Sequence, residues 1–156
     1  MTDDKMKREI GLQDYEAQSA EALARLQYQV DYSKALLGAL TVGNGGAIIA
    51  LLTFIGNTGS KVDPASMQGA FGVYGLGLTF VLVAYASGFF TQLYFYDVCQ
   101  MQAWNAQAEA LGGKGENEFD GAMKKGNRAL VAGVIVSLAS LGCFVGASLL
   151  ALDAIT

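Results

Sequence analysis

Charged residues are missing from three long stretches of this chain: no Asp, Glu, Lys or Arg falls between Lys34 and Lys61, between Asp63 and Asp97, or between Arg128 and Asp153. Each stretch exceeds the ~20 apolar residues that carry a helix through a hydrocarbon core about 30 Å thick. A soluble bundle could hide three such helices only behind amphipathic partners, and the remaining sequence supplies none. The pattern predicts an all-α integral membrane protein with three transmembrane helices. The expected order is a cytoplasmic N-terminal amphipathic helix (1–34), a first span (35–56), a short external loop (57–68) and a second span (69–97). A cytoplasmic helical extension with a Gly-rich loop (98–128), a third span (129–152) and an external C-terminus (153–156) complete it.

Turn chemistry sets the limits. The first connection reads NTGSKVDP, in which Asp63 suits a helix N-cap and Pro64 the first helical position, where its missing N–H costs nothing. Spans one and two are thus expected to form an antiparallel hairpin. Leu-Gly-Gly-Lys-Gly at 111–115 marks a helix stop and a flexible corner. On the cytoplasmic side the helical pattern outlasts the apolar stretches. Leu12, Tyr15, Ser19, Ala22, Leu26, Val30 and Leu37 share a face, Glu21 and Arg25 form an i,i+4 pair, and VCQMQAWNAQAEAL after the second span contains no Gly or Pro. A helical stub, with residues 10–34 beside 98–111, is the expectation.

Composition supports the class. Of 156 residues, 53% are hydrophobic and 15% charged, against roughly a quarter charged in soluble domains. The length suits one domain. Lys and Arg sort by segment: Lys5, Lys7, Arg8, Arg25 and Lys34 precede the first span, Lys61 lies in the first loop, Lys114, Lys124, Lys125 and Arg128 in the second, and none follows the third. The positive-inside rule then places the N-terminus in the cytoplasm and the C-terminus outside. The net charge of −4 does not disturb this, because the rule counts Lys and Arg alone. The charged N-terminal segment has neither the pattern of a cleaved signal nor a lipidation box. The expected location is a membrane, the bacterial inner membrane. Tyr28, Tyr32 and Lys34 are expected to anchor one interface of the first span, Tyr74, Tyr94 and Tyr96 the two ends of the second, and Lys124, Lys125 and Arg128 to snorkel at the start of the third.

Inside the first span, TVGNGGAIIA at 41–50 sets an asparagine among three glycines. Counting along the helices brings Asn44, Tyr85, Ser137 and Ser140 close to one depth. An amide in hydrocarbon needs partners, and Gly43, Gly45 and Gly46 allow another backbone to come near it. Small residues also recur as Gly77, Ala84 and Gly88 on the second span, and as Ala129, Gly133 and Ser137, then Ala139, Cys143 and Ala147, on the third. These are expected helix-packing or oligomer-interface positions. Their number suggests a homo-oligomer or docking in a larger membrane-protein complex, beside contact with the lipid bilayer. On this reading Asn44→Leu costs modest stability and Gly46→Leu costs more.

Catalytic chemistry finds little support. There is no histidine, and the spans hold no carboxylate or lysine. Cys99 and Cys143 are expected about 27 Å apart in depth by helix rise, beyond disulfide reach, and two thiols do not make a zinc site. ENEFDG at 116–121 imitates the start of a calcium loop, but Asn127 stands at its twelfth position. GGKG lacks the rest of a phosphate loop, and the few basic residues do not suit nucleic acid. No catalytic, cofactor or metal site is predicted, and the chain is not expected to be an enzyme. Two functions fit: a structural or accessory subunit acting by helix packing, or a self-assembling, holin-like pore former or permeabilising effector. A pore needs a continuous polar stripe, to which Thr41, Asn44 and Ser137 could contribute.

Overall fold

A computed structural model describes residues 2–58, 62–110, 114–115 and 117–155, with side-chain surroundings for all of these except most of 2–29, residue 58 and parts of 103–110. Among the described residues every regular element is a helix: α1 (Thr2–Thr58), α2 (Pro64–Ala110) and α3 (Asp120–Asp153). Each contains a segment long and apolar enough to cross a membrane, Val30–Asn57, Pro64–Gln102 and Asp120–Asp153. The helices run past the expected span limits without a break. Lys61 and the glycine pair at 112–113 lie outside the described residues.

The chain divides into two compact units, Met1–Gly38 and Ala39–Thr156. Because residues 1–38 form a unit by themselves, the stub expected from 10–34 beside 98–111 gains no support.

Within the second unit α2 and α3 pack along a seam with a seven-residue period. On α2 the buried positions are Ala70, Gly77, Ala84, Thr91 and Val98, interleaved with Met67, Tyr74 and Val81. On α3 they are Gly126, Ser140, Ala147 and Ala151; Gly126, Ser140 and Ala147, with half-buried Gly133 and the buried C-cap Ala154, form the seven-residue series, and Ala151 lies one turn after Ala147. A repeat of seven keeps one seam facing a partner helix, as in coiled coils. Small residues bring the two backbones close. A Cβ on Gly133 would stand 3.2 Å from Ser87 Cβ and 3.9 Å from Ala84 O. A Cβ on Gly126 would stand 2.7 Å from the Phe95 ring. The other side of α3 exposes Val131, Val134, Ile135, Leu138, Leu141, Val145, Leu149 and Leu152, the apolar stripe that a helix in lipid presents.

Both ends of this hairpin are fastened. Asp63 caps α2 as its sequence predicts, its Oδ2 accepting from Ser66 N at 2.8 Å. The same residue's N–H donates to Ala154 O at 2.9 Å, and Ser66 Oγ donates to Asp153 Oδ2 at 3.4 Å. The backbone N–H of Ser66 and then its hydroxyl hold the Asp63 carboxyl below its ordinary range. At the other end, Asn105 Oδ1 accepts from Asn117 N and Nδ2, and Asn105 Nδ2 donates to Asn117 O, all at 2.9 Å. Gly115 passes against this clasp, where a Cβ would stand 2.6 Å from Asn105 Cβ.

Candidate functional site: a polar node among three helices

Along residues 39–57 of α1 the buried side chains are Leu40 and Asn44, one helical turn apart. Ala47, Ile48, Leu51 and Ile55 continue that face half-buried. Asn44 has no exposed surface, and neither has Ser140. Asn44 Nδ2 donates to Leu40 O at 3.0 Å and to Ser140 Oγ at 3.3 Å. Ser140 Oγ, its lone pair taken by Asn44, donates its proton to Gly77 O at 2.9 Å. One chain of hydrogen bonds therefore ties α1 to α3 and α3 to α2.

Position 77 must be glycine for this to form. A Cβ there would overlap the Asn44 carboxamide, standing 2.8 Å from Cγ and 3.1 Å from Nδ2. Asn44 Oδ1 faces the same spot and has no hydrogen-bond partner. It rests against the bare side of Gly77, where a Cα–H is a weak donor that offsets part of the desolvation cost. Gly43 faces the Phe144 ring, whose edge would lie 3.5 Å from an added Cβ, and Gly45 faces Leu78 at 3.8 Å. Gly46 has open space where a Cβ would go.

The remaining expected packing residues divide between seam and surface. Ala84 and Ala147 are buried in the α2–α3 seam. Ser137, half-buried, turns its hydroxyl to Gly133 O in its own helix at 2.8 Å. Ala139 and Cys143 are half-buried off the seven-residue series. Gly88 is exposed, with nothing near its Cβ position. Tyr85, expected at the depth of Asn44, is 45% exposed, and the α2 partner at the node is a glycine backbone instead.

Of the expected interface anchors, Tyr28, Tyr32, Lys34, Tyr96, Lys124, Lys125 and Arg128 are exposed. Tyr94 is half-buried with Lys125 Nζ 5.9 Å from its ring centroid, a cation–π contact. Tyr74 is placed differently from its expected lipid interface. It is 3% exposed, tilted against Phe144 at 6.0 Å between centroids, with its hydroxyl 2.9 Å from Ser148 Oγ. Ser148 already donates to Phe144 O at 2.8 Å, so the tyrosine is the donor. The reason is the seam period: Tyr74 lies seven residues before Val81, which is 1% exposed.

Ser140 was visible only as a serine at the right depth. Gly126, Ala70 and Ala154 carry the same signal, the spacing of seven, which a search for small residues four apart passes over. The Ser140 hydroxyl donates to a carbonyl and has no base beside it. Among the described residues no group of three or more His, Cys, Asp or Glu could hold a metal ion, and Cys99 and Cys143 are free thiols. Compared with protein-family models, with curated proteins and with solved structures, the chain matches none.

Proposed function

We propose that this chain is a non-enzymatic integral membrane protein that serves as a structural or accessory subunit, acting through helix packing within the bilayer. The observation that carries this reading is the Asn44–Ser140–Gly77 node. The Asn44 carboxamide in the first span is consumed inside one chain, so it is unavailable to line an aqueous path. The hydroxyls behave likewise: Thr53, Thr79, Ser87, Thr91, Ser137 and Ser148 each donate to the carbonyl four residues earlier in their own helix. This is how a helix in lipid satisfies its polar side chains without a partner.

The distribution of Lys and Arg favours a cytoplasmic N-terminus and an external C-terminus, in a bacterial inner membrane. Residues 1–38, a unit of their own, are the segment through which a cytoplasmic partner would be held. The pore reading loses Asn44 to the node and is kept as the outcome of a test. That test is the native mass of the protein extracted in mild detergent, with identification of what accompanies it. Co-purification with larger membrane proteins in fixed ratio is expected. A homo-oligomer of fixed number that depolarises the membrane on expression would replace the subunit reading with the pore.

A further inference from the structure

Outside the seam and the node, one surface strip of α3 joins charge to apolar side chains. It is a shallow, open strip on α3 alone, lined by Asn127, Arg128, Val131, Ala132 and Ile135. Positions 128, 131, 132 and 135 share a helix face at the spacing of three, four and seven residues, and Lys124 lies one turn before Arg128 on that face. This face points away from the seam residues Gly126 and Gly133, since steps of 100° per residue carry them round to the opposite side. Lys124 and Arg128 are exposed, and among the described residues neither has an ion pair or hydrogen bond. Lys125 differs, being engaged over the Tyr94 ring.

We propose that this strip binds one anionic phospholipid, its phosphate held by Arg128 and Lys124 and an acyl chain laid along Val131, Ala132 and Ile135. The proposal rests on the membrane reading above. Charge complementarity selects the occupant: two cations one turn apart head a strip whose apolar part extends about 10 Å into the span, from Arg128 to Ile135. A planar guanidinium pairs with phosphate oxygens bidentately, and a lysine one turn away adds a point charge. A free anion would use the head and leave the apolar part unexplained. A zwitterionic lipid would cover the apolar part but gain less from the two cations.

The experiment is native mass spectrometry of the full chain in detergent, titrated with phosphatidylglycerol or phosphatidylcholine of identical acyl chains. Retention of one phosphatidylglycerol in preference to phosphatidylcholine is expected. Its retention should fall roughly tenfold in Arg128→Gln, the loss of one charge-assisted pair, and should fall further in Lys124→Gln/Arg128→Gln. Lys114→Gln, an exposed loop change, should leave it unaltered. Ile135→Ser tests the apolar part: weaker retention of long-chain but not of short-chain phosphatidylglycerol is expected. All these side chains are exposed, so the variants should keep the parental helix content and elution volume. Equal retention of the two lipids, indifference to Arg128→Gln, or displacement by inorganic phosphate regardless of acyl length would each overturn the proposal. Extraction of the chain from cells without detergent would overturn the membrane reading itself, an outcome distinct from loss of headgroup selectivity.

Discussion

The seam between α2 and α3 and the face that α1 presents to them solve the same problem with different chemistry. In hydrocarbon no hydrophobic force drives helices together, so contact must come from close packing and interhelical hydrogen bonds. The seam uses packing: Ala70, Gly77, Ala84, Thr91 and Val98 face Gly126, Gly133, Ser140, Ala147 and Ala154, and small side chains repeat every seven residues on α3. The described span of α1 instead buries Leu40 and one carboxamide. Its attachment is directional and concentrated at a point, whereas the seam is distributed over many. Damage at the point where both devices meet should therefore exceed damage to either alone.

That meeting point is Gly77. Replacing it with leucine drives a side chain into Asn44 and parts α2 from Ser140, with an expected loss of about 1–3 kcal/mol, the range for overpacking. Thermal unfolding in detergent reads it out. Adding Asn44→Ala to Gly77→Ala should return part of the loss, and strictly additive effects in that double-mutant cycle would break the comparison. Gly126→Leu comes next, at about 1 kcal/mol, because the Phe95 ring is half-buried and can swing where the Asn44 amide is enclosed. Ser140→Ala breaks the hydrogen-bond chain without adding volume. Membrane helix pairs of this kind average about 0.6 kcal/mol and reach roughly 1.7, so a Tm drop smaller than that of Gly77→Leu is expected.

Gly46→Leu should change stability by less than about 0.5 kcal/mol, as for a surface substitution, because nothing stands near its Cβ position. This reverses the order expected from sequence, in which Gly46 mattered more than Asn44. A large loss at Gly46 in the native membrane, absent from the purified chain, would reveal a second protein on that side of α1. A pH-dependent effect belongs to the Asp63 cap. Its carboxyl is depressed in the folded state, so its stabilisation is present above the ordinary value of 3.8 and disappears as pH falls through the folded value. Asp63→Ala should remove this acid-side dependence from the thermal unfolding profile while leaving the rest in place.

Charge placement made the three helices and the Asp63 cap legible, since exclusion of ions from hydrocarbon and N-cap geometry are strong local constraints. The α2–α3 seam was written in the chain too, as Gly126, Gly133, Ser140, Ala147 and Ala154. A four-residue template reads the surface repeat of a single helix, however, and so selected Ala139 and Cys143, off the series. Tyr74 misled for a related reason: an aromatic at a span end is as suited to an interface belt as to a seam with a hydroxyl partner. The partner, Ser148, lies in another helix. That Asn44 needed a polar neighbour was clear from its burial in an apolar run. Which neighbour depends on how α3 is rotated against α1, and local pattern carries no information on that.

The central claim is that Asn44 finds Ser140 in its own chain. Cysteines placed at 44 and 140, with Cys99 and Cys143 replaced by serine and alanine, and bridged in native membranes by a short thiol-reactive linker, test it directly. The account predicts a monomer whose peptides around positions 44 and 140 are joined. A covalent dimer linked through the same two positions would contradict it and return Asn44 to an interface between chains.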